Sequence, residues 1–358
     1  MKHPATRRIA EIVVILIAVT LLYAVSATIA SACSDIQFTD DKDFVVSART
    51  MDFDIDLKSD IKIVPRGQPT TSNASDGKKG LSWTSKYGFV GVNALDLDKF
   101  NDGLNEKGLS VGMLWLELSE YPNPTSSDNA LSIQDVGTWM LGNFATVNEV
   151  KTALKNVTVW GEMSNEIKMV PPVHFSIHDA QGNNLVVEFV KGEMKIYDNP
   201  NGVMVNDPTL DWHLTSYKAF KGNRLEVGAA PSGLYSPSRF IALSRLRDDL
   251  VKPKTNREAL EFAMAIIGRV SFIPGEGVEV KTDAQAQDAL MPYGGTYTQW
   301  TVIRDHKNLV YFYKTTLNSS YRLIDLKKVD FSAGQAIKAL NLENDNADLA
   351  QDMTSKFK

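Results

Sequence analysis

The stretch Ala30-Ser31-Ala32-Cys33-Ser34 decides how the rest of the chain is read. It joins the end of an apolar leader to the single cysteine of a 358-residue protein. Upstream, Lys2, Arg7 and Arg8 precede an apolar run from Ile12 to Val25, and small residues then lead into Ala30-Ser31-Ala32. A basic start, an apolar run and an A-x-A end describe a secretory signal peptide. The run falls short of the roughly 20 residues that a membrane span needs. Cutting between Ala32 and Cys33 would free an α-amine on Cys33. One residue would then carry a thiol nucleophile and an amine of pKa about 8, able to take its proton near neutral pH.

Two other readings of the same residues compete. A cysteine just after small residues resembles a bacterial lipoprotein site, where the thiol is lipidated and the amine acylated. That would make a lipid-anchored binding protein without catalysis. The aliphatic residue usual three positions earlier is missing, and Ala30 stands there. Arg7-Arg8 lacks the surrounding context of a twin-arginine signal. The plainest alternative is an ordinary buried thiol, which the adjacent cleavage site argues against.

Removing Lys2, Arg7, Arg8 and Glu11 with the leader leaves 35 basic and 42 acidic residues, a net charge of −7. No basic cluster points to nucleic acid. One cysteine allows no internal disulfide, so export is inferred from the leader alone. The remaining length is enough for a large core.

Ser34 to Phe53 alternates, with Ile36, Phe38, Phe44, Val46 and Ala48 as inward candidates, and predicts two strands joined at Asp40-Asp41-Lys42-Asp43. Gly67 to Gly80 reads as a long polar loop. Strands are expected at 60–65, 87–95, 110–116, 173–178, 185–190, 194–197, 297–304, 309–314 and 321–326, with a turn over Asp102 to Leu109. Helices are expected at 131–144, 147–157 (capped by Thr146), 237–251 and 257–270. Strand runs broken by paired helices, without a β-α-β beat, favour antiparallel sheets with helices packed outside.

A hairpin after Cys33 would return Arg49 and Asp52 toward it. Asp52 could hold the α-amine by hydrogen bonding, and Arg49 could stabilise the sulfur as thiolate. A surface Arg and Asp near a strand end would fit the same spacing. Further along, Asn201-Gly202-Val203-Met204-Val205-Asn206-Asp207-Pro208 leads into Thr209-Leu210-Asp211-Trp212-His213-Leu214, and Ser236-Pro237-Ser238-Arg239-Phe240 opens a helix. Together with Cys33-Ser34, Arg49-Thr50-Met51-Asp52, Asp102 to Leu109 and Tyr297-Thr298-Gln299-Trp300-Thr301, these segments resemble the choloylglycine hydrolase and penicillin V acylase family. The match runs in order from Cys33 to about Leu326.

The resemblance implies an α+β fold, the αββα sandwich of N-terminal nucleophile hydrolases, with residues 33–358 as a single catalytic domain. It implies hydrolysis of linear, non-peptide amides, no metal or organic cofactor, and a homotetramer. Carried over by position, Cys33 is the nucleophile and its amine the base, Asp52 orients that amine, Arg49 supports the thiolate, Asn206 donates to the oxyanion and Arg239 braces the site. The family's bile-salt members carry an asparagine where this chain has Trp115, which would keep the backbone N–H donor but offer a flat apolar wall. Trp115 resembles the Gram-negative penicillin V acylase branch, whose members also cleave long-chain N-acyl homoserine lactones. The expectation is a periplasmic thiol amidase acting on a small-molecule amide, with conjugated bile salts as the alternative substrate. His213 is set aside as a base, because the amine already fills that role. His174, His178 and His306 lack metal-ligand spacing, and Trp212 and Trp300 are expected in the core.

Overall fold

A computed structural model describes residues 33–40, 43–124, 126–222, 235–249, 251–274 and 296–342. The expected leader, and Asp41 and Lys42 of the first turn, lie outside these residues.

In chain order the strands begin Ser34–Thr39 (β1), Val45–Phe53 (β2), Asp60–Val64 (β3), Pro69–Asn73 (β4), Lys79–Thr84 (β5), Phe89–Asn93 (β6), Phe100–Asn105 (β7), Ser110–Trp115 (β8) and Ala130–Ser132 (β9). They continue Thr158–Trp160 (β10), Val173–His178 (β11), Asn184–Val190 (β12), Glu193–Asp198 (β13), Val203–Val205 (β14), Tyr297–Asp305 (β15), Val310–Thr315 (β16), Arg322–Asp325 (β17) and Lys338–Asn341 (β18). The α-helices are Val136–Asn143 (α1), Val147–Ala153 (α2), Leu210–Gly222 (α3), Ser236–Asp249 (α4) and Asn256–Gly268 (α5).

The strands make two large antiparallel sheets. One has the order β14-β1-β2-β15-β16-β17, and the other β13-β12-β11-β8-β7-β6-β3-β18. Helix α5 lies on β1 and β2, and α4 on β14, while α1 lies on β7 and β8. The layers are therefore helix, sheet, sheet, helix: an αββα sandwich, as the sequence led one to expect.

The alternation in β1 and β2 has a meaning that the pattern alone hides. Period 2 sends Ile36, Phe38, Val46 and Ala48 to one face and Asp35, Gln37, Ser47 and Arg49 to the other. Both faces are buried. Arg49 bonds to Asp102 and to the Met113 carbonyl of the opposite sheet, so the polar face looks into the sandwich and the apolar face looks at the helices. Thr146 caps α2 as expected, accepting from the Glu149 N–H at 3.2 Å.

Several elements differ from expectation. Gly67 to Gly80 is not a loop throughout, because β4 and β5 pair as a hairpin across it. Asp102 to Asn105 belongs to β7, leaving only the following residues as the turn. The helix expected from Leu131 starts at Val136, since Ala130–Ser132 pairs in parallel with β10. The polar segment after Asn206 becomes the helix α3, and Lys338–Asn341 adds an edge strand beside β3. For Ala130–Ser132 and Lys338–Asn341 the pairing partner lies far away in sequence, where local composition does not display it.

Candidate active site

The geometry starts from register. β1 pairs with β2 through Ser34↔Thr50 and with β14 through Ser34↔Val205. One residue back along β1, Cys33 therefore has Met51 on one side and Asn206 on the other. Its sulfur lies 3.7 Å from Met51 Sδ and 3.8 Å from the Asp52 carbonyl oxygen, and Arg49 Nη2 approaches to 4.0 Å. The side chain is 2% exposed.

Asp52 is on the helix side of the same sheet, where three groups converge on it. Arg239 Nη1 reaches its Oδ2 at 3.1 Å, Thr50 Oγ1 donates to Oδ2 at 3.0 Å, and Thr298 Oγ1 donates to Oδ1 at 2.5 Å. Arg239, in the first turn of α4, also donates through Nη2 to the Cys33 carbonyl at 3.2 Å. Thr298 reaches Asp52 because β15 carries a bulge. The pairs Thr298↔Asp52 and Trp300↔Met51 leave Gln299 as the extra residue, which turns Thr298 to the other face.

Burial pushes the Asp52 carboxyl up to about 6, with Arg239 and the two threonine hydroxyls pulling against it. Burial also pushes the Cys33 thiol up, against the charge of Arg49. The thiol is thus neutral near pH 7 and needs a base before it can attack. Burial brings the Arg239 guanidinium down to about 10, which leaves it charged at neutral pH.

Arg49 is held from behind by a fully buried charge network. Its Nη1 bonds Asp102 Oδ2 at 3.2 Å, and its guanidinium lies 5.0 Å from the Trp300 ring centre. Asp102 in turn takes Arg304 Nε at 3.1 Å and the Tyr311 hydroxyl at 2.8 Å, and pairs again with Arg304 Nη2. Arg304 Nη1 reaches Asp35 Oδ2 at 3.1 Å, and His178 Nε2 lies 2.6 Å from the other Asp35 oxygen. Burial alone would raise Asp35, but His178 and Arg304 more than offset it and hold the carboxyl well below the usual range. The network packs against Gly112, where an added Cβ would sit 3.0 Å from Arg49 Cδ.

Asn206 and Trp115 come together from opposite sheets. The Trp115 N–H donates to Asn206 Oδ1 at 3.2 Å, which puts the amide's NH2 on its other side. His213 Nε2 lies 2.9 Å from the Asn206 carbonyl oxygen, and its ring stacks on Phe240 with centroids 4.7 Å apart. Burial holds the His213 imidazole down to about 4, so it is neutral and serves to fix Asn206.

Cys33 forms part of the wall of a cleft of about 760 Å³. The other walls are mostly apolar: Met51, Phe53, Leu57, Leu95, Met113 and Trp115, with Lys99, Asn101, Gln134 and Ser164 as the polar exceptions. Trp115 stands in this wall and not in the core, its indole 5.5 Å from the Phe53 ring and its Nε1 donating to Glu117 at 2.9 Å. Trp300 is buried as expected, but Trp212 is 48% exposed on α3, which corrects the expectation for that residue. Among the described residues, no group of three or more His, Cys, Asp and Glu is arranged to hold a metal ion.

All six residues singled out from the sequence thus lie in one neighbourhood. What sequence reasoning missed is the support behind them. Asp102 and Thr298 stand in segments already noted, but nothing local marks them as partners of Arg49 and Asp52. Asp35 and Arg304 carry no motif at all.

These features define a class: an N-terminal nucleophile type sandwich with a thiol at the head of a central strand and an apolar cleft beside it. The chain belongs to the choloylglycine hydrolase family of linear amide C–N hydrolases, whose model matches residues 33–348. It is 30% identical over 360 residues to the penicillin V acylase of Pectobacterium atrosepticum, covering 90% of this chain and 88% of that protein. It is 29% identical over 316 residues to a bile salt hydrolase/transferase of Clostridium perfringens, covering 80% and 90%. The penicillin V acylase structure from Agrobacterium tumefaciens superposes with a TM-score of 0.71 at 28% identity, covering 86% of this chain and 91% of that one. A variant of the conjugated bile acid hydrolase from Clostridium perfringens gives 0.73 at 25% identity, covering 86% and 97%. The protein is therefore a hydrolase of C–N bonds other than peptide bonds.

Proposed function

We propose that residues 1–32 are a cleaved export signal and that the mature protein, beginning at Cys33, is a periplasmic thiol amidase of the penicillin V acylase type. Its acyl groups are phenoxyacetyl or long aliphatic chains, including those of N-acyl homoserine lactones, and it assembles as a homotetramer. The observation that carries the reading is the Cys33 sulfur in the wall of a largely apolar cleft, with Arg49 at 4.0 Å.

In the proposed mechanism the freed α-amine takes the thiol proton, and Asp52 orients that amine. The sulfur attacks the amide carbonyl, and the Asn206 NH2 and the Trp115 N–H hold the oxyanion. For this, the carbonyl oxygen displaces the Trp115–Asn206 hydrogen bond. The ammonium returns the proton to the leaving nitrogen as the C–N bond breaks. Water, deprotonated by the amine, then attacks the thioester, and the sulfur leaves as thiol. Arg49 offsets charge on the sulfur throughout, and Arg239 braces Asp52.

The test uses mature protein recovered from the producing cell. Intact mass should give a bare Cys33 at the N-terminus, whereas an acylated, lipidated residue would make the chain an anchored binding protein. Cys33→Ala should keep the fold and lose hydrolysis of penicillin V and of long N-acyl homoserine lactones, and full turnover by this variant would sink the mechanism. Faster cleavage of glycocholate than of either substrate would move the assignment to the bile-salt hydrolases. Sedimentation reads the oligomer.

A further inference from the structure

The bulge in β15 does more than turn Thr298. It also aims the Gln299 side chain at the connection between β2 and β3. There Gln299 Nε2 donates to the Ile55 carbonyl at 2.6 Å and, more weakly, to that of Phe53 at 3.4 Å, while its Oε1 accepts the Leu57 N–H at 3.0 Å. One amide therefore bonds both sides of a short piece of backbone. The Leu57 carbonyl then accepts the Leu95 N–H at 2.6 Å, which ties this connection to the one between β6 and β7. Asn93 secures the ends, accepting the Asp60 N–H at 2.6 Å and donating to the Leu97 carbonyl at 2.8 Å.

Both connections are wall. Phe53 and Leu57 come from the first, and Leu95 and Leu97 from the second. Both also hold non-glycine residues in the left-handed region: Lys58 at φ 45°, and Leu95 and Asp96 in succession at 58° and 59°. Such backbone is strained and persists only where its surroundings over-determine it. Here the over-determining bonds run through Leu57 to Gln299.

We infer that Gln299 is a positioning residue for acyl-chain selectivity: it clamps the Leu57 and Leu95 wall in place without touching the reacting atoms. The inference rests on the amidase reading above. Met51 borders the sulfur itself, so a short acyl group is served by Met51. A long chain extends along the cleft to the two clamped connections and needs them in place. Every methylene buried there adds to binding, so a loosened wall penalises long chains selectively.

The experiment compares hydrolysis of butanoyl and dodecanoyl amides of one amine by mature wild type, Gln299→Ala and Gln299→Glu. Glutamate keeps an acceptor for Leu57 but loses the donor to Ile55. For Gln299→Ala, KM for the dodecanoyl amide should rise roughly ten-fold, the scale of the two shorter of the three uncharged hydrogen bonds lost. The kcat for both amides should change little, and Gln299→Glu should fall between. Leu57→Ala should give the same selective rise, and adding Gln299→Ala to it should cost nothing more, because the two act through one wall. An unchanged ratio of dodecanoyl to butanoyl KM in Gln299→Ala overturns this inference while leaving the amidase intact. A wild type that cleaves penicillin V but neither aliphatic amide overturns this inference alone, and one that cleaves none of the three overturns the amidase reading with it.

Discussion

The space between the two sheets is filled in two opposite ways. Toward Trp115 it is lined by Met51, Phe53, Leu57 and Leu95 and left open as a cleft. Toward Tyr311 it is packed with Asp35, Arg49, Asp102 and Arg304, each with a side chain 0% exposed. Apolar walls leave no hydrogen bond or charge unmet when empty and so can wait for a ligand, whose burial then releases their water. Buried charges cannot wait, because each unpaired one carries a desolvation penalty of several kcal/mol. The charged end is therefore balanced in charge as it stands, two arginines against two aspartates, and the apolar end is the one with room. Arg49 joins the two: its Nη1 is held in the network and its Nη2 faces the sulfur at the cleft. A network that an apolar core of equal volume could replace without loss of stability is best understood as aiming that guanidinium.

The largest effect should come from breaking the charged end. Arg304→Met leaves Asp35 and Asp102 short of their main partner, and should cost about 3–5 kcal/mol, the usual penalty for stranding one side of a buried pair. Denaturant unfolding reads it. If the loss is under 1 kcal/mol, the two ends are not as different as argued.

Acid should act on the same region. Burial, with His178 nearby, holds His306 down to about 3, where it donates through Nδ1 to the Gly108 carbonyl at 2.9 Å and lies 2.9 Å from Ser47 Oγ through Nε2. His213 is held at about 4. Both bind protons more readily when unfolded, where their pKa is about 6.5, so their stability contribution is lost as pH falls from 6.5 toward 3. Asp52, raised to about 6, works the other way between about 4 and 6, its contribution being lost as pH rises. Asp207, which burial also raises, works in the same direction as Asp52, and the two histidines, held down over the wider range from 6.5 toward 3, leave stability rising with pH. Unfolding midpoints taken across this range should show the rise, and His306→Gln should flatten it.

A smaller change should come from Gly112→Ala. Its methyl would crowd Arg49 Cδ at 3.0 Å, Asp35 Oδ2 at 3.2 Å and Arg304 Nη2 at 3.3 Å. Overpacking of this kind costs about 1–3 kcal/mol. It should also turn Arg49 from the sulfur and slow alkylation of Cys33 in the folded protein. An unaltered alkylation rate would separate the network from the thiol.

The mildest test is at the open end. Trp115→Phe keeps the backbone N–H beside Asn206 but trims the wall facing Phe53. KM for an aryl-acyl amide should rise a few-fold, the scale of one aromatic pair at about 0.5–1.5 kcal/mol, with kcat preserved. A large fall in kcat would instead make the indole part of the reaction geometry.

The sequence by itself determined the site's inner ring. Cys33, Arg49 and Asp52 were legible as neighbours because a short hairpin is a local structure whose return strand runs back beside residue 33, with Arg49 on the sulfur's face and Asp52 on the other. Asn206, Arg239 and Trp115 were legible by resemblance, through segments in the same order. Only the tertiary structure decided which way the first hairpin faces, since both of its sides are buried and alternation cannot tell a helix layer from a second sheet. It alone brought Asp102 and Arg304 together across 202 positions, and set Gln299, unpaired in the β15 bulge, against the backbone of the connection after β2. Charge pairing and bulges depend on neighbours in space, and no window of the chain contains both partners.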